Sequence, residues 1–146
     1  MTKLGHARDF RDLAVYQKAK KVSRMVFEST KGFPKEETYS LTDQIRRSSR
    51  SIGAQIAEAW AKRRYARHFV SKLTDADAEQ METQHWVDEA SDCRYLDSKK
   101  VEELTEELMQ IGRMLNSMIE KAHSFCNQKD SMMHDEAVDY LTNLDD

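Results

Sequence analysis

Proline and glycine are scarce in this sequence, with 1 Pro and 4 Gly among 146 residues. Because both residues interrupt helices, their scarcity favours long, uninterrupted helices. No apolar run approaches the ~20 residues that a membrane-spanning helix needs. Residues 1–12 also lack the apolar stretch of a secretory signal. We therefore expect a cytoplasmic protein with no membrane association.

Cysteine is equally scarce, and Cys93 and Cys126 give neither a disulfide framework nor a paired metal spacing. We expect both thiols to be reduced, and each to be a small buried hydrophobe near a helix end. The sequence also lacks a Gly-rich phosphate loop, a Ser-His-Asp order and an inward-facing pair of carboxylates. These absences predict a protein that is not an enzyme and that uses no cofactor or metal.

Charged residues are abundant but unevenly distributed, at 34% of the chain with a net charge of −3. Residues 1–72 carry 17 Lys and Arg against 7 Asp and Glu, a net charge of +10. Residues 73–146 carry 6 against 19, a net charge of −13. Such polarity can steer an anionic partner to the basic half of a protein. It can also be internal, with a basic helix pair lying beside an acidic pair.

Apolar residues recur at helical spacing in four segments, residues 10–29, 37–64, 65–93 and 97–126. Asp97 suits the N-cap of the fourth segment. The inward positions of the second segment are Leu41, Ile45, Ser48, Ile52, Ile56 and Ala59, and those of the third are Phe69, Leu73, Ala76, Thr83, Val87 and Ala90. Short breaks between long helices favour antiparallel neighbours. The sequence thus predicts an all-α protein, an up-down antiparallel four-helix bundle over residues 1–126. An acidic tail follows, residues 127–146, which we expect to be mobile or loosely docked.

Several stretches resemble one known family. Residues 12–19 (DLAVYQKA) are similar to its opening helix, and residues 33–48 (FPKEETYSLTDQIRRS) to its most recognisable segment. Residues 51–59 (SIGAQIAEA) continue in register, although Gln55 and Ala59 stand where the family usually has Asn and Gly. Shorter matches follow at ADA (76–78), ETQ (82–84) and IGRML (111–115). On these residues the chain resembles the 23S rRNA intervening-sequence, or four-helix-bundle, protein family over about residues 9–126.

The resemblance implies a left-handed antiparallel four-helix bundle that assembles into a ring-shaped homopentamer. The accessory variability determinant proteins of diversity-generating retroelements look like the same fold; they form a basic pentameric barrel that binds nucleic acid and a reverse transcriptase. The biological role of the rRNA-encoded members is not established, so the resemblance bears on the fold more than on the function.

The basic half supplies candidate nucleic-acid contacts, because guanidinium groups donate paired hydrogen bonds to phosphate. A ring would repeat these contacts and raise avidity for a polyanion. The alternatives are a solvated face that binds no ligand, or a structural role in which Arg46 and Arg47 pair with Glu58 or with acidic residues of a neighbour. The candidates are Lys20, Lys21 and Arg24 on the solvent side of the first helix, Arg46, Arg47 and Arg50 in the second, and Lys62, Arg63, Arg64 and Arg67 near its end. The function predicted is therefore electrostatic binding of structured RNA or DNA by a homo-oligomer. The alternative is a scaffolding ring that binds a protein partner.

Residues 82–85 and 120–123 both spell Glu-x-x-His, the spacing found in di-iron four-helix bundles. Glu28 and Glu58 could supply the two single carboxylates. At 100° per residue, however, Glu82 lies roughly 110–120° from the middle of the inward stripe of its helix. Because a di-iron centre needs all its ligands to project inward, the pattern argues against a metal enzyme.

Some apolar residues have two interpretations. Trp60 and Trp86 are expected on helix flanks, either as subunit-contact anchors or at the edge of the core. A row of small residues on the outer face of the second helix either admits a neighbouring helix or only favours helix formation. Methionines at or beside the core stripes are expected to pack inside. These residues are Ala54, Ala57 and Ala61 in the small row, and Met81, Met114 and Met118.

Overall fold

Four long helices account for most of residues 7–126, the part of the chain that the computed structural model describes. The helices are α1 (Ala14–Thr30), α2 (Leu41–Ala61), α3 (Ala66–Asp92) and α4 (Ser98–Glu120), followed by a short α5 (Ala122–Phe125). Short 3-10 turns precede α1 at Phe10–Asp12 and α2 at Lys35–Glu37. No β-strand occurs within residues 7–126. The expected acidic tail, residues 127–146, lies outside the described residues.

Each long helix packs against the next, and α1 also packs against α4. The helices α1 and α2 are antiparallel, since Phe27 near the end of α1 contacts Arg46 near the start of α2. Likewise Lys72 of α3 reaches Gln55 of α2 (Nζ to Oε1, 3.4 Å). The predicted all-α four-helix bundle is confirmed.

The core contains the apolar stripes that the sequence predicts. All twelve inward positions given above for the second and third segments are buried. Two hydroxyl groups lie inside the bundle, where Thr83 Oγ1 donates to Ser48 Oγ at 2.9 Å. Pairing satisfies polar groups that would otherwise be costly to bury. Gln80, which the sequence analysis missed, is also buried, with only 3% of its surface exposed.

Helix ends differ from the sequence prediction in three places. The first helix starts later because Leu13 is extended (φ −69°, ψ 128°), which separates the turn at Phe10–Asp12 from α1. The second ends at Ala61 rather than at residue 64. The fourth ends at Glu120, and Lys121 separates it from α5. The predicted N-cap is confirmed, since the Asp97 side chain accepts a hydrogen bond from the Lys100 backbone N–H at 2.8 Å.

Two predictions about single side chains are wrong. Cys93 is exposed at the end of α3, whereas Cys126 is buried as expected. Met81 is 58% exposed, because it lies on the outer face of α3 beside the buried Gln80. Met114 and Met118 do pack against or within the core. Trp60 and Trp86 are half-buried against the core, so they lie on helix flanks as predicted.

None of the helices within residues 7–126 combines the length and the apolar character needed to cross a lipid bilayer.

Candidate nucleic-acid interface

Eight of the ten predicted basic residues form two groups, one beside the first half of α2 and the other after its end. The first, termed the α1–α2 cluster, contains Lys20, Arg24, Arg46 and Arg50, and the second, termed the corner cluster, contains Lys62, Arg63, Arg64 and Arg67. Arg50 and Lys62 are twelve positions apart along the chain. At 1.5 Å per residue this separates the clusters by about 18 Å along the axis of α2. The structure therefore offers two cationic areas rather than one patch.

The α1–α2 cluster is built around the half-buried ring of Phe27 in α1. The guanidinium carbons of Arg46 and Arg50 lie 4.8 and 5.7 Å from the ring centroid. Lys31 approaches the same ring, with its Nζ 4.9 Å from the centroid. Arg46 is also fixed by a hydrogen bond from its Nε to Thr30 Oγ1 at 2.8 Å. A single aromatic ring thus contacts three cations, which are attracted to the ring face. Lys31 also pairs with Glu28 Oε2 at 3.1 Å.

The cluster continues along α1 through exposed cations. Lys20 and Arg50 line the same groove between α1 and α2, and Arg24 lies one turn further along α1. The groove is narrow in this region because Gly53 brings α2 close to Tyr16, where an added Cβ would lie 3.5 Å from the ring. The predicted solvent exposure of these α1 cations is confirmed.

Two of the predicted cations are engaged within the bundle. Lys21 Nζ pairs with Glu107 Oε1 of α4 at 3.0 Å. Arg47 pairs with Glu82 and lies 3.9 Å from Glu79, both in α3. The proposed alternative partner, Glu58, instead binds Lys72. Part of the charge polarity is therefore internal, as one of the two sequence interpretations expected.

The corner cluster follows the end of α2. Arg63 is half-buried because its guanidinium carbon lies 3.5 Å from the centroid of the Trp60 ring and its Nε donates to the Trp60 carbonyl at 2.9 Å. Burial lowers the pKa of the Arg63 guanidinium from its ordinary value. Arg64 lies 5.7 Å from the centroid of the Tyr65 ring. Lys62 and Arg67 are exposed and form no ion pair with any residue between 7 and 126.

The Glu-x-x-His segments do not converge on the bundle axis. The Glu82 carboxylate is held at the α2–α3 seam, where the Trp86 Nε1–H donates to it at 3.1 Å. His85 lies 4.0 Å from Glu89 on the outer face of α3, and His123 is exposed. Within residues 7–126 no three His, Cys, Asp or Glu side chains lie together in a way that could hold a metal ion.

Sequence reasoning missed two features beside these clusters. Phe27 was not identified as a site residue, although its ring organises Arg46 and Arg50. The only signal available was the spacing of a basic pair at i, i+4, which does not reveal a partner on another helix. Glu79 was missed as well; burial raises the pKa of its carboxyl, and one of its oxygens is buried with no hydrogen-bond partner among residues 7–126.

Comparison with known proteins identifies a family and a similar solved structure. The family model described as 23S rRNA-intervening sequence protein matches residues 11–117. A crystal structure of a protein with unknown function from the S23 ribosomal protein family of Bacteroides thetaiotaomicron superposes with a TM-score of 0.65 and 27% sequence identity. That superposition covers 73% of this chain and 95% of the other. No curated protein matches this sequence. Since the family model spans most of the bundle, the chain belongs to the 23S rRNA-intervening sequence protein family.

Proposed function

We propose that this protein is a non-catalytic, cytoplasmic nucleic-acid-binding bundle. It binds structured RNA or DNA through the α1–α2 cluster and the corner cluster. Recognition is electrostatic and depends on the shape of the phosphate backbone, with little preference for base sequence.

One observation carries this proposal: internal pairing accounts for only some of the cations in the basic half. Acidic residues of other helices engage Lys18, Lys21 and Arg47. In contrast, Lys20 and Arg24 are exposed and form no ion pair with any residue between 7 and 126. Lys62 and Arg67 of the corner cluster, between α2 and α3, are likewise exposed and form no ion pair with any residue between 7 and 126. Surplus positive charge in clusters is the electrostatic feature typical of phosphate-binding proteins.

Two of the rings beside these cations favour backbone contacts over base stacking. Arginine groups lie over the ring of Phe27 and over the ring of Trp60, and both rings are half-buried. A base cannot stack on a ring face that a guanidinium already covers. Phosphate oxygens remain suitable partners for the same guanidinium groups.

Assembly into a homo-oligomeric ring is part of the proposal and rests on the family resemblance. A ring would present each cluster several times and so increase avidity for one long polyanion. Native mass spectrometry tests the assembly, with a species of five times the 17.0 kDa chain mass expected. A monomer at all concentrations would contradict the ring without contradicting binding by a single chain.

Fluorescence anisotropy tests nucleic-acid binding, using a labelled hairpin RNA and a matched duplex DNA at several salt concentrations. We expect affinity to fall steeply as salt increases. The triple variant Lys62→Gln, Arg64→Gln, Arg67→Gln should bind more weakly, and the slope of its salt dependence should fall by about one unit for each phosphate that it no longer binds. Arg63 is left unchanged because its guanidinium packs on Trp60.

A charge-matched control separates specific contacts from a general loss of positive charge. Lys99 and Arg113 lie on α4 and Lys121 at its end; all three are exposed and none belongs to either cluster. Changing these three to Gln alters the net charge by the same amount and should leave affinity nearly unchanged. Absence of binding to either nucleic acid at low salt would overturn the proposal.

A protein-binding scaffold is the second candidate, and a groove between α3 and α4 favours it. Met81 and Met109, 58% and 44% exposed, both line this groove together with Gln84 and Asn116. Exposed methionines adapt to varied apolar partners. If the scaffold is correct, Met81→Ser and Met109→Ser would abolish recovery of a protein partner in a pull-down, and nucleic acid would have no effect on that recovery.

A further inference from the structure

We propose that Arg46 and Arg50 form a phosphate-binding site with the groove that runs beside them on α2. The site would take a phosphate or diphosphate group, free or within a nucleic-acid backbone. This deepens the proposed function and rests on it, because it assigns one of the two clusters a defined ligand group and predicts binding of the isolated anion.

The two guanidinium groups are held side by side without a carboxylate between them. Both lie over the Phe27 ring, and the Arg46 Nε is already bonded to Thr30 Oγ1. Like charges one helical turn apart repel each other. No acidic residue between 7 and 126 pairs with either arginine. A bound anion would offset this repulsion and engage the terminal N–H groups of both side chains.

The adjoining groove has the size and lining that such an anion requires. Its volume is about 500 Å³, and hydroxyl groups accompany the arginines along its wall. A phosphate or diphosphate with a few waters fits within this space. The lining residues are Thr38, Thr42, Asp43, Arg46, Arg47, Arg50, Ser51 and Ala54.

The hydroxyl group of Thr42 is an independent observation at the same place. Only 7% of the surface of Thr42 is exposed, and its Oγ1 has no hydrogen-bond partner among the described residues. A buried hydroxyl without a partner costs free energy, which a ligand oxygen would recover. Because Thr42 lines the cationic groove, an oxyanion bound there is a suitable acceptor for this unpaired donor.

Two neighbouring charges shape the preference of this site. Asp43 lines the groove and is exposed, so it repels every anion and reduces the net attraction that the two arginines supply. Arg47 also lines the groove but is engaged by Glu82. The balance favours a multiply charged tetrahedral anion, for which two guanidinium forks supply paired hydrogen bonds.

The test is a titration of the full chain with inorganic pyrophosphate, followed by NMR of the arginine Nε–Hε signals and by calorimetry. Saturable binding with shifts of the Arg46 and Arg50 signals is expected. Arg50→Gln should weaken binding about tenfold or more, as expected for loss of a hydrogen bond from a charged group. Arg50 is the preferred site of change because Arg46 has a structural bond to Thr30 and its replacement could unfold the chain.

Thr42→Val provides a second variant that separates binding from folding. It removes the unpaired hydroxyl, so the melting temperature should stay the same or rise while pyrophosphate affinity falls several-fold. The double variant Lys99→Gln, Lys121→Gln, on exposed positions of α4 and its C-cap, should bind pyrophosphate as the parent does. Equal weakening by this control and by Arg50→Gln would overturn the site, as would the absence of saturable binding.

A parallel titration with the hairpin RNA distinguishes failure of the site from failure of the proposed function. RNA binding that persists without pyrophosphate binding would contradict the phosphate site and leave electrostatic binding intact. Pyrophosphate binding without RNA binding would support the site, identify free phosphate compounds as its ligand and overturn the nucleic-acid proposal.

Discussion

Lys18 and Glu107 join the first and fourth helices of the bundle, with Lys18 Nζ 2.8 Å from Glu107 Oε2. They are 89 residues apart in the sequence. Lys21 reaches the other oxygen of the same carboxylate at 3.0 Å. Glu107, which is half-buried, thus pairs with two lysines of the basic half and links α4 to α1.

Replacement of Glu107 by Gln is expected to lower the free energy of unfolding at neutral pH by about 1 kcal/mol, because the pair is partly shielded from water. Hydrogen bonds from Lys18 and Lys21 hold the pKa of the Glu107 carboxyl below its ordinary value. The stabilisation is therefore complete above the ordinary Glu pKa of about 4.3 and is lost as pH falls through the lower folded-state pKa. Urea unfolding of parent and variant should show a difference that disappears in acid.

Glu103→Gln is the matched control for this prediction, since Glu103 forms an exposed i, i+3 pair with Lys100 on the same helix. It should change stability little at any pH. A difference between parent and Glu107→Gln that stays constant into acid would contradict an electrostatic origin.

Glu79 and Glu82 lie one turn apart on α3 but should respond oppositely to neutralisation. Desolvation, and then the nearby charge of Glu82, raise the pKa of Glu79, whose ionised form is thus disfavoured in the fold. Glu79→Gln should increase the free energy of unfolding at neutral pH by up to about 1 kcal/mol. The difference in stability between this variant and the parent should shrink as pH falls through the raised folded-state pKa, because protonation then removes the unfavourable charge from the parent as well.

Glu82→Gln is expected to destabilise the protein instead, because Arg47 and the Trp86 Nε1–H both bind that carboxylate. Thermal unfolding of the two variants at matched pH measures the contrast. Destabilisation of the same size in both variants would show that Arg47 depends on Glu79 as much as on Glu82.

We expect replacement of glycine by alanine to have opposite effects at Gly112 and at Gly53. A Cβ at Gly112 would lie 2.9 Å from Gln80 Nε2 and 3.4 Å from Asp77 Oδ1. Gln80 is buried and bonded to Asp77 and Gln84, so its displacement would break a polar network. We expect Gly112→Ala to lower the free energy of unfolding by about 1 kcal/mol despite the better helix propensity of alanine.

At Gly53 the added Cβ would make only an ordinary contact, 3.5 Å from the Tyr16 ring. Gly53→Ala should therefore stabilise α2 by roughly 0.5–1 kcal/mol, the difference in helix propensity. Melting temperatures of the two variants give the measurement. A rise in both would show that Gln80 moves aside at no cost.

Arg94 adopts a left-handed conformation (φ 63°) directly after Cys93, the C-cap of α3. The Tyr95 N–H returns to the Ala90 carbonyl at 2.9 Å and the Arg94 N–H to the Ser91 carbonyl at 2.9 Å, a helix-ending pattern that glycine usually occupies. Arg94→Gly is expected to increase the free energy of unfolding by about 1 kcal/mol. Arg94→Ala removes the same side chain but keeps the unfavourable φ, so it should give no gain in thermal or urea unfolding; equal gains from both would exclude backbone strain as the cause.

Much of the helical architecture follows from local pattern. Leu41, Ile45 and Ile52 lie on one side of a helix, so only one orientation of α2 buries all three side chains. That orientation is the one observed. The Asp97 N-cap could also be predicted from the sequence, because an N-cap depends on residues within one turn. Helix ends were less accurate: the break at Leu13 comes from backbone extension beside an otherwise helical segment. Cys93 was misplaced because its residue type favours burial, whereas its position after the last turn of α3 exposes it.

The candidate site was only partly predictable. Exposure of Lys20 and Arg24 follows from their angular distance from the apolar stripe, which the sequence contains. The sequence does not predict the different environments of Arg46 and Arg47, because the two residues are adjacent and of the same type. One packs on Phe27 of α1 and the other pairs with Glu82 of α3.

The sequence by itself determined the fold class, the buried stripes and the excess of positive charge in residues 1–72, since each depends on residue type and local spacing. Tertiary structure decided which cations remain available. Lys18, Lys21 and Arg47 were paired with acidic residues that are distant in sequence, while Arg46 and Arg50 were gathered over one aromatic ring. The physical reason is that attraction between charges depends on distance in space and on exposure to water, and only the packing of one helix against another sets either quantity.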